Sequence, residues 1–203
     1  VKPGPERPAL LPPDLGLRLD GTHDVLEEPG ALRFAAVIGL LLDNGRAPGM
    51  DPSLVLIERS SALRQHAGQL AFPGGKPEPS DRDLLDTALR EAEEEVALQR
   101  EQVDVLGRLS PVPTPTGYMI IPFVGRVRGP WQPRRASPEV ARVLTPSLSQ
   151  LMDPGVYVNA GQVEWRGQSY ERHEYRIAEP PLWGATARMV WDLLERIRGP
   201  LPG

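Results

Sequence analysis

The chain has 203 residues, enough for one well-buried domain with no need of a second. Its net charge of −4 speaks against a nucleic-acid-binding surface, and the absence of cysteine excludes a disulfide framework and fits a cytoplasmic location. No apolar run is as long as a membrane span, and the first residues lack the charged-then-apolar pattern of a secretory signal.

In chain order, residues 1–30 read as a proline-rich N-terminal arm and 31–203 as the folded domain. Pro3, Pro5, Pro8, Pro12 and Pro13 exclude regular structure at the start of the arm. Leu10 and Leu11 are apolar enough to anchor it to a neighbouring subunit, which makes a homodimer an expectation. Residues 31–42 form an apolar run ended by Asp43-Asn44-Gly45 and predict a buried strand of a mixed sheet. Residues 43–52 predict a hairpin connection into a second strand over 53–59, and 60–70 predict a loop. Within that loop His66 reads as a packing or capping residue. Arg59 and Arg64 read either as surface arginines or as a clamp on phosphate oxygens, which guanidinium groups bind in a bidentate way.

The chain then turns through Phe72-Pro73-Gly74-Gly75. Glycines here let the backbone adopt positive φ and approach a ligand closely, although an ordinary strand-to-helix connection looks the same. Lys76 follows, one of only two lysines beside 21 arginines. From about 81 to 98 the pattern is helical: Leu84, Leu85, Ala88, Leu89, Ala92 and Val96 make one apolar stripe, and Ser80 or Asp81 can cap the first turn. Glu91 shares a helical face with Glu94 and Glu95, while Glu93 points elsewhere. Each like-charged pair costs roughly 0.2–0.5 kcal/mol, and the cluster sits near the helix end that repels anions. A hard divalent cation removes the conflict, since Mg²⁺ is held by carboxylates, water and substrate phosphate. A solvated acidic face is the alternative. Arg90 can pair with Glu94 or with an upstream carboxylate.

Residues 103–110 and 120–128 predict strands. The loop between them carries Thr114, Thr116 and Tyr118, which either line a cleft or stiffen the connection. Two alternating strands over 162–166 and 171–177 flank a turn at Gly167. Trp183-Gly184-Ala185-Thr186-Ala187, read mainly as core packing, opens a last helix. Its buried face is Met189, Val190, Leu193, Leu194 and Ile197, and Gly199-Pro200 end it.

The segment from Gly75 to Leu98 resembles the Nudix box, G-x5-E-x7-R-E-U-x-E-E-x-G-U with U aliphatic. Arg90-Glu91-Ala92-Glu93-Glu94-Glu95 matches its R-E-U-x-E-E core. The spacing from Gly75 to Arg90 is one residue longer than in the box, so the first acidic position is placed at Asp81. Ala97 stands where the box has its last glycine. Upstream, Leu56-Ile57-Glu58-Arg59-Ser60, Arg64, Gly68 and Phe72-Pro73-Gly74-Gly75 resemble the motif that precedes the box in Nudix hydrolases cleaving coenzyme A. Gly74-Gly75-Lys76-Pro77-Glu78-Pro79-Ser80-Asp81 matches that subfamily's lengthened box. Residues 137–144, with Glu139, resemble a strand of the same family, and 146–151 the turn after it.

The resemblance implies an α+β fold, an α/β/α sandwich with a mixed sheet between helices. It also implies a metal-dependent diphosphate hydrolase yielding 4′-phosphopantetheine and adenosine 3′,5′-bisphosphate from coenzyme A. In that reading Glu91, Glu94 and Glu95 hold Mg²⁺ or Mn²⁺, with Glu94, Glu95 or Glu139 as base. Arg90 orients a carboxylate, and Arg59, Arg64, Gly74, Gly75 and Lys76 bind substrate. The 3′-phosphate calls for one further cationic site, which Arg64 fits. Rival readings are another diphosphate substrate such as ADP-ribose, an idle nucleotide-binding regulator, and a structural Ca²⁺ helix, although no D-x-[DN]-x-[DN]-G loop is present.

Overall fold

The computed structural model describes residues 11, 14–21, 32–42, 51–165 and 167–199. Its strands are β1 (Arg33–Leu42), β2 (Ser53–Leu54), β3 (Leu56–Arg59), β4 (Leu70–Ala71), β5 (Gly74–Gly75), β6 (Val103–Arg108), β7 (Val112–Pro113), β8 (Tyr118–Val127), β9 (Val140–Leu144), β10 (Tyr157–Trp165), β11 (Gln168–Tyr175) and β12 (Leu182–Trp183). The helices are α1 (Leu84–Val96), α2 (Leu148–Met152) and α3 (Gly184–Arg198), with short 3₁₀ turns at Leu15–Arg18 and Arg100–Gln102.

The central sheet runs β2-β1-β8-β6, with β5 added along β1 and β7 along β8. Strands β1 and β8 are parallel over their whole length, Arg33 beside Tyr118 through Leu42 beside Val127, while the other pairings are antiparallel. The apolar run of β1 is explained by its two covered faces. Ala36, Ile38, Leu40 and Leu42 pack in the cluster that contains Ala88, Ala92 and Val96 of α1. Val37 and Leu41 face the opposite cluster, with Met189, Val190, Leu193 and Leu194 of α3. Helix α1 and helix α3 therefore sandwich the mixed sheet, as expected. Two small antiparallel sheets, β4-β3-β9 and β10-β11-β12, flank it.

Several expected boundaries move. The single strand expected over 53–59 is two strands: β2 pairs with β1, and after Val55 the chain crosses to the β4-β3-β9 sheet. The hairpin connection before β2 falls on residues 43–50, outside the described residues. The glycine turn is itself a short strand, β5. The loop before β8 contains β7, the turn over 146–151 is the one-and-a-half-turn helix α2 capped by Ser147, and the β10–β11 hairpin is longer than its alternation suggests. Trp183 is about half exposed, so the start of α3 packs through Thr186 and Ala187 instead. His66 is exposed, at φ 58°, and bonds Gln69.

Residues 14–21, assigned to the arm from sequence, pack into the domain. Leu15 and Leu19 are buried, Leu11 rests on the same cluster, and Arg196 of α3 donates to the Arg18 carbonyl at 2.9 Å. Leu11 thus has a partner within its own chain. Among the described residues, no helix is long and apolar enough to cross a membrane.

Helix α1 begins later than its apolar pattern suggests. The cap is Asp83, whose side chain accepts from the Asp86 N–H at 2.8 Å. At the other end Ala97 closes the helix in the left-handed region (φ 56°, ψ 39°), with its N–H on Glu93 O and the Leu98 N–H on Ala92 O. A side chain in that conformation is disfavoured, and glycine is the usual occupant. Ala97→Gly is expected to stabilise the fold by about 1 kcal/mol. That should appear as a melting-temperature rise of about 2–4 °C; a lower melting temperature would show that the Ala97 side chain contributes packing.

Candidate active site

Strand β5 and helix α1 bring the glycines and the glutamates together. Gly75 lies opposite Ala36 of β1 and Gly74 opposite Val37. A Cβ on Gly74 would come within 2.3 Å of the Ala36 carbonyl oxygen, and one on Gly75 within 2.2 Å of Glu91 Oε1. Backbone closes Gly74 to a side chain, and a side chain at Gly75 would displace the Glu91 carboxylate. The Gly74 N–H donates to Glu95 Oε2 at 3.0 Å. Gly74 of β5 therefore holds Glu95 through its backbone.

Glu95 is buried, with 4% of its surface exposed. Burial pushes its carboxyl up to about 8; the Gly74 N–H and Arg59 oppose this, and Glu91 and Glu139 add to it. Burial also raises Glu91, against the pull of Arg90. Glu94, one turn away, is exposed and turned to Arg90 at 3.3 Å. Among the described residues no three acidic or histidine side chains stand together as a ready metal cluster. In this arrangement Arg90 draws Glu91 and Glu94 to one side, and Gly74 with Arg59 holds Glu95 on the other. The donor set nevertheless fits a hard divalent cation. It is all oxygen, and its carboxylates are partly buried and mutually repelling, a conflict that a divalent cation relieves.

Arg90 is the organiser of the helix face. Its Nε donates to Asp81 Oδ1 at 2.9 Å and an Nη to Asp81 Oδ2 at 3.2 Å, while Nη1 reaches Glu91 at 3.2 Å and Nη2 the Lys76 carbonyl at 3.2 Å. Asp81 is thus the upstream carboxylate that Arg90 pairs with. Its bonds to Arg90, the Glu78 N–H and the Thr87 hydroxyl explain why it does not cap the helix. The Arg90 guanidinium holds the Asp81 carboxyl down at about 2.

A second group closes the site from β3 and β9. Arg59 Nη1 lies 4.0 Å from Glu95 Oε1 and Nη2 3.7 Å from Glu139 Oε2, and its Nε is buried without a partner. Glu139 is exposed, and its carbonyl accepts from the Ser60 N–H. Residues 60–69 return on Arg59: its N–H donates to Gln69 O, and its carbonyl accepts from Gly68, which turns at φ 71°. Arg64 and Lys76 are exposed. Thr114 serves its own turn, bonding the Tyr118 N–H and carbonyl and the Thr116 hydroxyl. Of the residues expected at the site, Gly74, Gly75, Arg90, Glu91, Glu94, Glu95, Arg59 and Glu139 form one connected cluster. Arg64 lies on the adjoining loop. The donation from Gly74 to Glu95 has no signal in side-chain patterning.

The family model for the NUDIX domain matches residues 32–165. The chain is 37% identical over 147 residues to the uncharacterised Nudix hydrolase NudL of Photorhabdus laumondii, covering 72% of this chain and 78% of that one. It is 38% identical over 183 residues to NudL of Salmonella typhimurium, covering 89% of each. A MutT/nudix family protein from Enterococcus faecalis superposes with a TM-score of 0.49 at 17% identity, over 85% of this chain and 63% of that one. The chain belongs to the Nudix family of hydrolases, enzymes that act on phosphorus-containing anhydrides. Members of this family hydrolyse nucleoside diphosphate derivatives and use divalent metal ions.

Proposed function

We propose that this enzyme cleaves the diphosphate of coenzyme A or its derivatives, giving 4′-phosphopantetheine and adenosine 3′,5′-bisphosphate. The observation that carries the reading is the loop over 60–69. It is folded back on Arg59 by Gly68, leaves Arg64 exposed, and adjoins the carboxylate cluster through the ion pairs of Arg59 with Glu95 and Glu139. This is the segment in which the upstream motif resembles the coenzyme A subfamily.

Arg59 and Arg64 supply positive charge to the diphosphate, and the Gly74–Gly75 strand sets the backbone against Glu91 and Glu95. Glu91, Glu94 and Glu95 would hold Mg²⁺ or Mn²⁺, which when bound neutralises diphosphate charge and acidifies water. Arg90 fixes Glu91 and Glu94 relative to Asp81 and the loop carbonyl. Glu94, Glu95 and Glu139 are the carboxylates available to take a proton from the attacking water. Attack on phosphorus breaks one P–O bond of the anhydride, and the departing phosphate carries off the bridging oxygen.

Mass spectrometry of products tests the reading. Coenzyme A and ADP-ribose are each offered with Mg²⁺ or Mn²⁺, and with chelator as control. Metal-dependent 4′-phosphopantetheine, formed well above the turnover of ADP-ribose, is the expected result. Turnover of ADP-ribose alone would remove coenzyme A as the substrate. No turnover of either would favour a different diphosphate or a regulatory binding role.

A further inference from the structure

Two cations gather on one aromatic ring beside the site. The Arg33 guanidinium carbon lies 4.3 Å from the centroid of the Tyr118 ring, and Lys76 Nζ lies 5.5 Å from it. The fold brings the three together from separate elements. Arg33 opens β1 and stands directly beside Tyr118, the first residue of β8, in the parallel register. Lys76 leaves β5 one residue after Gly75, which faces Ala36 of β1.

The backbone that carries the ring is held by its own turn. The Thr114 hydroxyl bonds both the N–H and the carbonyl of Tyr118 at 3.1 Å, the Thr114 N–H donates to the same carbonyl at 2.8 Å, and the Arg33 N–H is tied to Gly117 O at 3.0 Å. The Lys76 backbone is pinned by Arg90. Among the described residues, neither the Arg33 nor the Lys76 side chain makes an ion pair with a carboxylate, although most of the chain's described arginines do. The ring attracts each cation but supplies no net negative charge, so both positive charges gathered at it lack a carboxylate counter-ion among the described residues. An anion bound beside the ring supplies that counter-charge.

We propose that Arg33, Lys76 and Tyr118 form a subsite for a second anionic group of the substrate, a phosphomonoester separate from the scissile diphosphate. Arg33 precedes Ala36, the residue facing Gly75, by three positions, which along a strand is about 10 Å. The Arg33 end of the subsite thus stands about the length of a nucleoside along β1 from the position that faces Gly75. This rests on the coenzyme A reading, in which the 3′-phosphate is that group; it replaces the sequence expectation that Arg64 takes the 3′-phosphate and leaves Arg59 and Arg64 to the diphosphate.

The test separates the subsite from the reaction. Arg33→Gln is compared with the parent on coenzyme A and on 3′-dephospho-coenzyme A. The expected result is a KM about tenfold higher for coenzyme A. The kcat should be unchanged, as should both constants for the dephospho substrate, and Arg33→Lys should recover most of the loss. Equal effects on the two substrates, or no effect on either, would overturn the subsite. Calorimetry provides the arm that needs no turnover: Arg33→Gln should weaken binding of adenosine 3′,5′-bisphosphate and leave AMP unchanged. If the parent does not cleave coenzyme A but this difference holds, the subsite stands and the substrate reading alone falls. If the difference is absent, the subsite falls whatever the parent cleaves.

Discussion

Glu95→Gln should reduce turnover by roughly 10²–10⁴-fold while leaving the chain folded. The carboxylate is buried, receives the Gly74 N–H, and stands between Glu91, Arg59 and Glu139, so it is the point where helix, glycine strand and β3 meet. Glutamine keeps the shape, and its carbonyl oxygen can still accept from Gly74. What it loses is the ionisable group. The same substitution has a stability signature whose sign follows from burial. The Glu95 carboxyl is raised from 4.5 to about 8 in the folded chain, so the folded state holds a proton that the unfolded state releases earlier. Its contribution is fully present below about pH 4.5 and is lost as pH rises through about 8. In chelator, Glu95→Gln should therefore melt above the parent at pH 9, with the difference shrinking toward pH 5. A near-normal rate would remove Glu95 from the catalytic set. An unchanged melting difference across that range would mean that the carboxylate is solvated enough to ionise freely.

The features legible in the sequence are those with a local period or a dense charge pattern. Strand β1 shows because two covered faces demand apolar residues at every position, and α1 and α3 show because one covered face demands a stripe. The glutamate cluster shows because it is locally unfavourable and so needs a reason. The crossing at Val55 leaves no trace, since Leu54-Val55-Leu56-Ile57 is one unbroken apolar run and β2 and β3 differ in which neighbour they pair with. The start of α1 is hidden because Asp81 and Asp83 look alike as caps; only the long-range bond of Asp81 to Arg90 distinguishes them. Glu139 reaches Arg59 across 80 residues of chain, so their pairing is a property of the β3–β9 register rather than of any motif. Trp183 misleads because an aromatic at a helix start usually means burial, whereas here the helix packs through the next turn.

Replacement of Arg90 by glutamine should be strongly destabilising. The Asp81 side chain is 3% exposed and Arg90 16%, and the two make a bidentate pair. Removing the cation leaves Asp81 buried with only the Thr87 hydroxyl and the Glu78 N–H, and frees Glu91 and Glu94 to repel each other. Breaking a buried pair from one side costs about 3–5 kcal/mol. In a chain of this size that is roughly a 10 °C fall in melting temperature. The pH dependence should invert. In the parent, Asp81 is depressed from 3.8 to about 2, so the pair's stabilisation is present above pH 3.8 and lost as pH falls through about 2. In Arg90→Gln the unpaired carboxylate favours its proton, and acidification from pH 7 toward pH 4 should recover stability that the parent does not gain. Adding Asp81→Asn should then cost much less than it does in the parent, the coupling expected of a contacting pair. Arg90→Lys should recover only part of the loss, because an ammonium cannot span both Asp81 oxygens and the Lys76 carbonyl. A fall of less than about 3 °C, with no inversion, would show that Asp81 is held by its neutral partners and that Arg90 serves the glutamates alone.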